Sequence, residues 1–262
     1  MNVLAIVSAK GGVGKTTLTA NLAAALMTGR RVLCVDLDPQ NALRLHLGVA
    51  MDEWDGIARC TLEGRASGTA IFQSPGCPEV LPYGTINESD RDAFEVFLAE
   101  NPDWLRKNLD GLGLGADDFV VLDTPPGPSL YLQQALRVAN FALVVLHADA
   151  ASYATVPAME GLLERYCLDR AGYYGSAYVL NNVNTEKALS RDVVEVVRLK
   201  LGDRVVPQVV HQDEAVRESL ASDQLLADYD PHCEATYDVA ACAQWVSNRM
   251  LVRRAQQQLR TA

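Results

Sequence analysis

The stretch Ala9–Leu26, AKGGVGKTTLTANLAAAL, decides how this chain is read. It follows the apolar run Val3–Val7 and opens a pattern in which Leu18, Leu22, Ala25 and Leu26 share one helical face. Strand, glycine loop and helix, in that order, are the setting a phosphate-binding loop requires. Glycines let backbone N–H groups turn inward around phosphate oxygens, and the helix N-terminus adds the positive end of its dipole. Gly11, Gly12, Val13 and Gly14 are therefore expected to form the cradle of a nucleotide site. Lys15 would reach the β- and γ-phosphates, Thr16 would offer a hydroxyl to Mg²⁺, and Thr17 would contact the α-phosphate. The spacing departs from the general loop G-x-x-x-x-G-K-[ST]: Ala9 stands at its first glycine, and a second lysine, Lys10, precedes Gly11. One lysine suffices to hold phosphate, so Lys10 needs a role of its own.

Outward from this loop, short apolar runs alternate with helical patterns. Strands are expected at Val3–Val7, Val32–Asp36, Val80–Leu81, Phe119–Asp123, Ala142–His147, Ala177–Asn181 and Val205–Val209. They are rich in Val, Leu and Ile with little polar alternation, as parallel strands buried on both faces are. Helices are expected at Asp92–Leu98, Leu130–Val138, Pro157–Cys167, Ser190–Leu201, Asp213–Ser222 and Ala235–Gln257, with another near Asn101–Leu112. Right-handed crossovers then give an α/β fold, a doubly wound, mostly parallel sheet with helices on both faces. Residues 1–262 read as a single P-loop domain, with an irregular insertion at about 48–84 where Gly and Pro interrupt every pattern.

Composition sets limits on function. The chain has 262 residues, 49 % hydrophobic and 21 % charged, with a formal charge of −10. An acidic surface argues against nucleic acid as the principal partner, while leaving room for a local basic patch. Six cysteines occur with no C-x-x-C pair, which points to a reducing compartment and away from a metal or iron–sulfur site. No apolar run approaches the ~20 residues of a membrane span, and no signal peptide is expected from the N-terminal residues. A cytoplasmic protein is expected.

Two carboxylate groups complete the site. VLCVDLDPQ (Val32–Gln40) places Asp36 and Asp38 at the end of a strand, the end that faces the ligand crevice in an open α/β sheet. DDFVVLDTPPGPS (Asp117–Ser129) is an apolar strand ending in Asp123, in position to accept hydrogen bonds from water on Mg²⁺. YVLNNVN (Tyr178–Asn184) ends a strand in amides that can pair with a purine edge; Asn182 is preferred over Asn181.

KGGVGKTT, DLDPQ and DTPPG together resemble the deviant Walker A ATPases of the ParA/MinD type. The resemblance implies ATP and Mg²⁺ as ligands and a homodimer that sandwiches ATP between its subunits. Lys10 would be the signature lysine, crossing into the partner's site to do what an arginine finger does. Asp38 would orient the attacking water, Asp36 would hold a Mg²⁺-bound water, and Pro125–Gly127 would be a switch loop. Pro207 and Asp213 would lie beside adenine, although Asp213 fits a helix N-cap equally well.

Within this type, LPYGTINESDRDAF (Leu81–Phe94) and HQDEAVRESLASDQLLADYDPHCEA (His211–Ala235) resemble the BcsQ family encoded with bacterial cellulose synthase. That resemblance implies a role in assembling or localising the cellulose-secreting complex, with its accessory subunits as partners at the inner membrane. Two other members remain open. A DNA-partitioning ParA-type ATPase would use Arg249, Arg253, Arg254 and Arg260. A MinD-like positioning ATPase would dock on lipid through Trp245–Ala262. A slow, nucleotide-locked scaffold is the non-enzymatic reading, and the presence of every catalytic residue favours hydrolysis, slow until a partner stimulates it.

Overall fold

The computed structural model describes residues 1–168 and 170–261, with side chains described as far as residue 256. Six strands form one sheet in the order β3-β2-β4-β1-β5-β6, every pair parallel. They are β1 (Asn2–Val7), β2 (Val32–Asp36), β3 (Glu79–Leu81), β4 (Phe119–Asp123), β5 (Phe141–His147) and β6 (Gly175–Asn181). The chain winds outward from β1 to one side through β2 and β3 and to the other through β5 and β6. A crevice for ligands opens at the carboxyl ends of the strands where the direction changes.

Strand β1 shows why the runs lack polar alternation. Val3, Ala5 and Val7 enter the core on one face of the sheet, Leu4 and Ile6 the core on the other. The first face is covered by Glu88–Glu100, Trp104–Asp110, Leu130–Val138, Val156–Cys167 and Ala188–Leu201. The second is covered by the helix that follows the glycine loop, α1 (Lys15–Leu26), and by the last helix, Glu234–Thr261. Leu18 and Leu22 of α1 share that core with Val239, Cys242, Val246 and Met250 of the last helix. The phosphate-loop helix therefore lies between the sheet and the C-terminal helix.

The segment 48–84 supplies the edge strand β3, the helix Ile57–Leu62 and buried Ile57, Cys60, Ala70 and Tyr83. Two backbones cross inside it at close range. A Cβ on Gly56 would stand 2.2 Å from the Gly84 nitrogen, and Gly84 itself has φ +91°. Glycine at both positions is what lets the chain pass there.

One expected strand is absent. Val205–Val209 makes isolated bridges to the edge of β6, at Tyr178 with Val205, and His211 bridges Val183 just beyond it. Val206 and Val210 donate to the Tyr178 and Leu180 carbonyls at 2.8 Å each. The two donors are four residues apart but their acceptors only two, so the chain bulges between Val206 and Val210, where Pro207 sits, and no continuous ladder forms. The segment runs along the sheet edge and delivers His211, Gln212 and Asp213 to its carboxyl end.

Candidate nucleotide site

The glycine loop folds as its composition requires. Gly12 and Gly14 have φ of 73° and 79°, in the left-handed region, and α1 begins at Lys15 directly after them. A Cβ on Gly12 would meet nothing within 4 Å, whereas one on Gly14 would come 2.5 Å from Asn181 Nδ2. Gly12 thus faces open space, as a phosphate cradle needs. Gly14 is held from behind by Asn181, which donates to the Val13 carbonyl at 2.8 Å. Gly11 and Gly12 are exposed and Val13 is buried, pinning the loop to the core.

Lys15 is only 7 % exposed, and its ammonium makes no hydrogen bond or ion pair among the described residues. It lies in the field of Asp123. A nearly buried cation without a bonded partner is costly, and an anion brought to it offsets that cost. Thr16 and Thr17, partly exposed, stand beside it in the first turn of α1.

The pairing register brings the carboxylates together. Asp36 and Asp123 are direct partners across β2 and β4, both fully buried. Burial first, and then the Asp123 charge, raises the pKa of Asp36 well above the usual carboxylate range. Burial raises Asp123 as well, against the pull of Lys15. Asp36 accepts the Asp38 N–H at 2.9 Å on one oxygen and the Leu43 N–H at 3.1 Å on the other, which clamps the loop carrying Asp38. Asp123 accepts from the Thr19 hydroxyl at 3.3 Å, and its Oδ2 is buried with no hydrogen-bond partner. Asp38 is partly exposed on the loop that Asp36 fixes, and its Oδ1 accepts the Gln40 N–H at 3.0 Å.

The loop after β4 is tied to the glycine loop. Gly127 N–H donates to Ser8 O at 2.9 Å, Thr124 donates to Ile6 O at 2.8 Å, and a Cβ on Gly11 would rest 3.6 Å from Pro126. Lys10 turns away from this cluster. Its Nζ pairs with Asp149 at 3.1 Å, and Asp149 also caps the turn Ala150–Tyr153 through the Ser152 N–H at 2.6 Å. Both members of the ion pair are partly exposed.

A cavity of about 310 Å³ leads away from the loop, lined by Gly12, Gly14 and Thr17 at one end. Asn181, Asn182, His211 and Asp213 reach the cavity with Val210, Val216 and Leu226. Asn182 is exposed in a left-handed conformation, φ 55°, and its side chain makes no hydrogen bond among the described residues. Asn181, the other amide, is committed to Val13. Asp213 both lines the cavity and caps, accepting Ala215 N–H at 3.0 Å and Ala235 N–H at 3.4 Å. Pro207 does not line the cavity: it is exposed, its carbonyl taken by Arg198 at 2.7 Å. The missing ladder explains this, because the chain turns into the crevice only after Val209.

Several contributors were not singled out from the sequence. Asn21 donates to Thr17 O at 2.9 Å and accepts the Leu226 N–H at 2.8 Å, joining the cavity wall to α1. A buried polar side chain inside an otherwise apolar helical pattern was its one visible signal. Asp149 and the pair His211–Asp238 carried none, being distant in sequence from the residues they meet.

Comparison with known proteins places this arrangement. Residues 1–247 match the family described as "Cellulose biosynthesis protein BcsQ". The protein of that name from Salmonella typhimurium LT2 is 29 % identical over 94 % of each chain. The chromosome partitioning protein ParA of Caulobacter vibrioides NA1000 is 28 % identical over 97 % of each. Among solved structures, the septum site-determining protein MinD of Pyrococcus horikoshii, complexed with Mg-ADP, superposes with a TM-score of 0.75 at 25 % identity, over 96 % of this chain and 98 % of that one.

Proposed function

Because the chain belongs to the BcsQ family of cellulose biosynthesis proteins, we propose that it is an ATP-driven dimerising ATPase supporting assembly or localisation of the cellulose synthase complex at the inner membrane. The observation that carries the chemistry is Lys15, a nearly buried ammonium without a bonded partner at the mouth of a helix, beside a glycine with open space before it. That combination suits a nucleotide's phosphates better than any other anion, since the cavity beyond has room for a nucleoside. The Mg-ADP in the Pyrococcus MinD structure supports the same reading.

Mg²⁺ fits the donor set. Two opposed buried carboxylates and the partnerless Asp123 Oδ2 favour a hydrated divalent cation, held by Thr16 and Asp123 with Asp36 behind. The ion, when bound, neutralises charge on the β- and γ-phosphates. Asp38 orients the attacking water from the loop that Asp36 clamps. Lys15 holds the nucleotide of its own subunit, and Lys10 serves the nucleotide of the other. Hydrolysis in this scheme yields ADP and phosphate, slowly until an accessory subunit stimulates it.

The partitioning alternative finds less support. Arg249 is paired with Asp203 at 3.0 Å and stacks on Trp245, and Arg254 is bound to the Asn2 side chain and to Ala116 O at 2.8 Å. Arg260 lies outside the residues whose side chains are described. Lipid docking through the last helix is weakened because Met250 is fully buried and Trp245 packs on the core. No described helix is long and apolar enough to cross a membrane.

A clean gene deletion in the native bacterium, scored together for secreted cellulose and for chromosome or plasmid loss, tests the reading. Lost cellulose with normal segregation is expected. Faulty partitioning with intact cellulose would overturn it in favour of the ParA role.

A further inference from the structure

We infer that His211, held by the buried carboxylate of Asp238, selects the base of the nucleotide by accepting a hydrogen bond at Nε2 from an exocyclic amine such as the 6-amine of adenine. The inference rests on the nucleotide reading above and assigns a specificity role within the same site.

The dyad is built for one orientation. His211 Nδ1 lies 2.8 Å from Asp238 Oδ2, and the same oxygen accepts the His211 backbone N–H at 2.8 Å. Gln208 Nε2 donates to the other oxygen. Asp238 is 3 % exposed, so its carboxylate cannot rotate to water, and the imidazole is fixed in turn. A second carboxylate, Glu234, stands 3.3 Å from the same Nδ1. A carboxylate only accepts, so Nδ1 carries the proton, and in the uncharged tautomer this fixes, the free lone pair lies on Nε2, an acceptor. No hydrogen-bond partner for Nε2 exists among the described residues.

The position matches the task. His211 lines the cavity beyond the phosphate loop, together with apolar Val210, Val216 and Leu226 that can enclose a purine. An acceptor there meets the N6 amine of adenine, but opposes the O6 acceptor of guanine. Polar groups left unpaired in an apolar pocket are what make such sites selective. Asp238 acts as a positioning residue. It and Gln208 come from the last helix and the sheet-edge segment, so the two elements that frame the cavity also fix its selectivity.

Equilibrium titration calorimetry of the full chain with ATP, GTP and purine riboside triphosphate, which lacks the 6-amine, tests this. The parent should bind ATP about tenfold more tightly than the purine analogue, the worth of one net hydrogen bond. In His211→Ala that ratio should fall to about one, with binding of the analogue unchanged. Asp238→Asn, which can no longer hold the ring in one tautomer, should lower the ratio while His211→Gln, retaining an acceptor, should partly restore it. A parent that binds ATP and the analogue equally would overturn the inference without requiring any variant to fold. So would His211→Ala with the parental ratio, and both results would leave the ATPase reading standing. A parent that binds no triphosphate at all would overturn both.

Discussion

Replacing Lys15 by alanine removes ATP binding, weakening it at least ~100-fold in equilibrium titration. Charge-assisted hydrogen bonds to phosphate contribute about 1.5–3 kcal/mol each, and Lys15 supplies more than one donor to the same group. The residue is nearly buried with no bonded partner, so its interactions are kept for the ligand. The substitution leaves the fold intact, because the glycine loop is held by Asn181 and by the Gly127–Ser8 contact, neither of which involves the Lys15 side chain. A Lys15→Ala protein that still bound ATP within a few-fold of the parent would mean that the cradle is not where phosphate sits.

Lys10→Ala separates binding from turnover. The variant keeps the ATP affinity of the separate subunit within about twofold and loses ATP-driven pairing, since Lys10 is paired with Asp149 and makes no contact with the cradle of its own subunit. Its steady-state hydrolysis falls by about 10³-fold, the low end of what a positive charge donated in trans contributes to phosphoryl transfer. The Lys10–Asp149 pair is partly exposed on both sides and worth no more than about 1 kcal/mol. That is small enough for a partner's phosphates to draw the lysine away. Parental turnover by Lys10→Ala would sink the in-trans role and leave Lys10 as a surface residue tied to Asp149.

The central strands were legible because parallel pairing buries both faces and leaves unbroken apolar runs: β2 and β4 begin and end where the residues say. The carboxylates were legible for a related reason. A strand interior this apolar excludes a charge until the strand ends, so Asp36 and Asp123 mark its carboxyl edge. Val205–Val209 misled, because branched apolar residues promise a strand while the bulge between Val206 and Val210 leaves only isolated bridges. Pro207, expected beside the base, lies in that bulge and is exposed. What could not be read is long-range pairing. Asp238 lies 27 residues beyond His211 and nothing local marks either as half of a pair. Lys10 and Asp149 are 139 positions apart. Of the two adjacent amides, strand periodicity cannot say which turns toward the glycine loop; the structure gives Asn181 to Val13 and leaves Asn182 in the cavity.

The claim on which the account turns is that ATP joins two copies of this chain. A ligand can shift that equilibrium only through unequal affinity for the separate and the closed states, and Lys10 acting across the interface supplies the inequality. Sedimentation velocity of Asp38→Ala, expected from the role proposed for Asp38 to bind ATP without hydrolysing it, measures this directly with and without ATP and Mg²⁺. The account predicts a 28.5 kDa species without nucleotide and one of twice that mass with it. Equal sedimentation of the free and ATP-bound protein would contradict it.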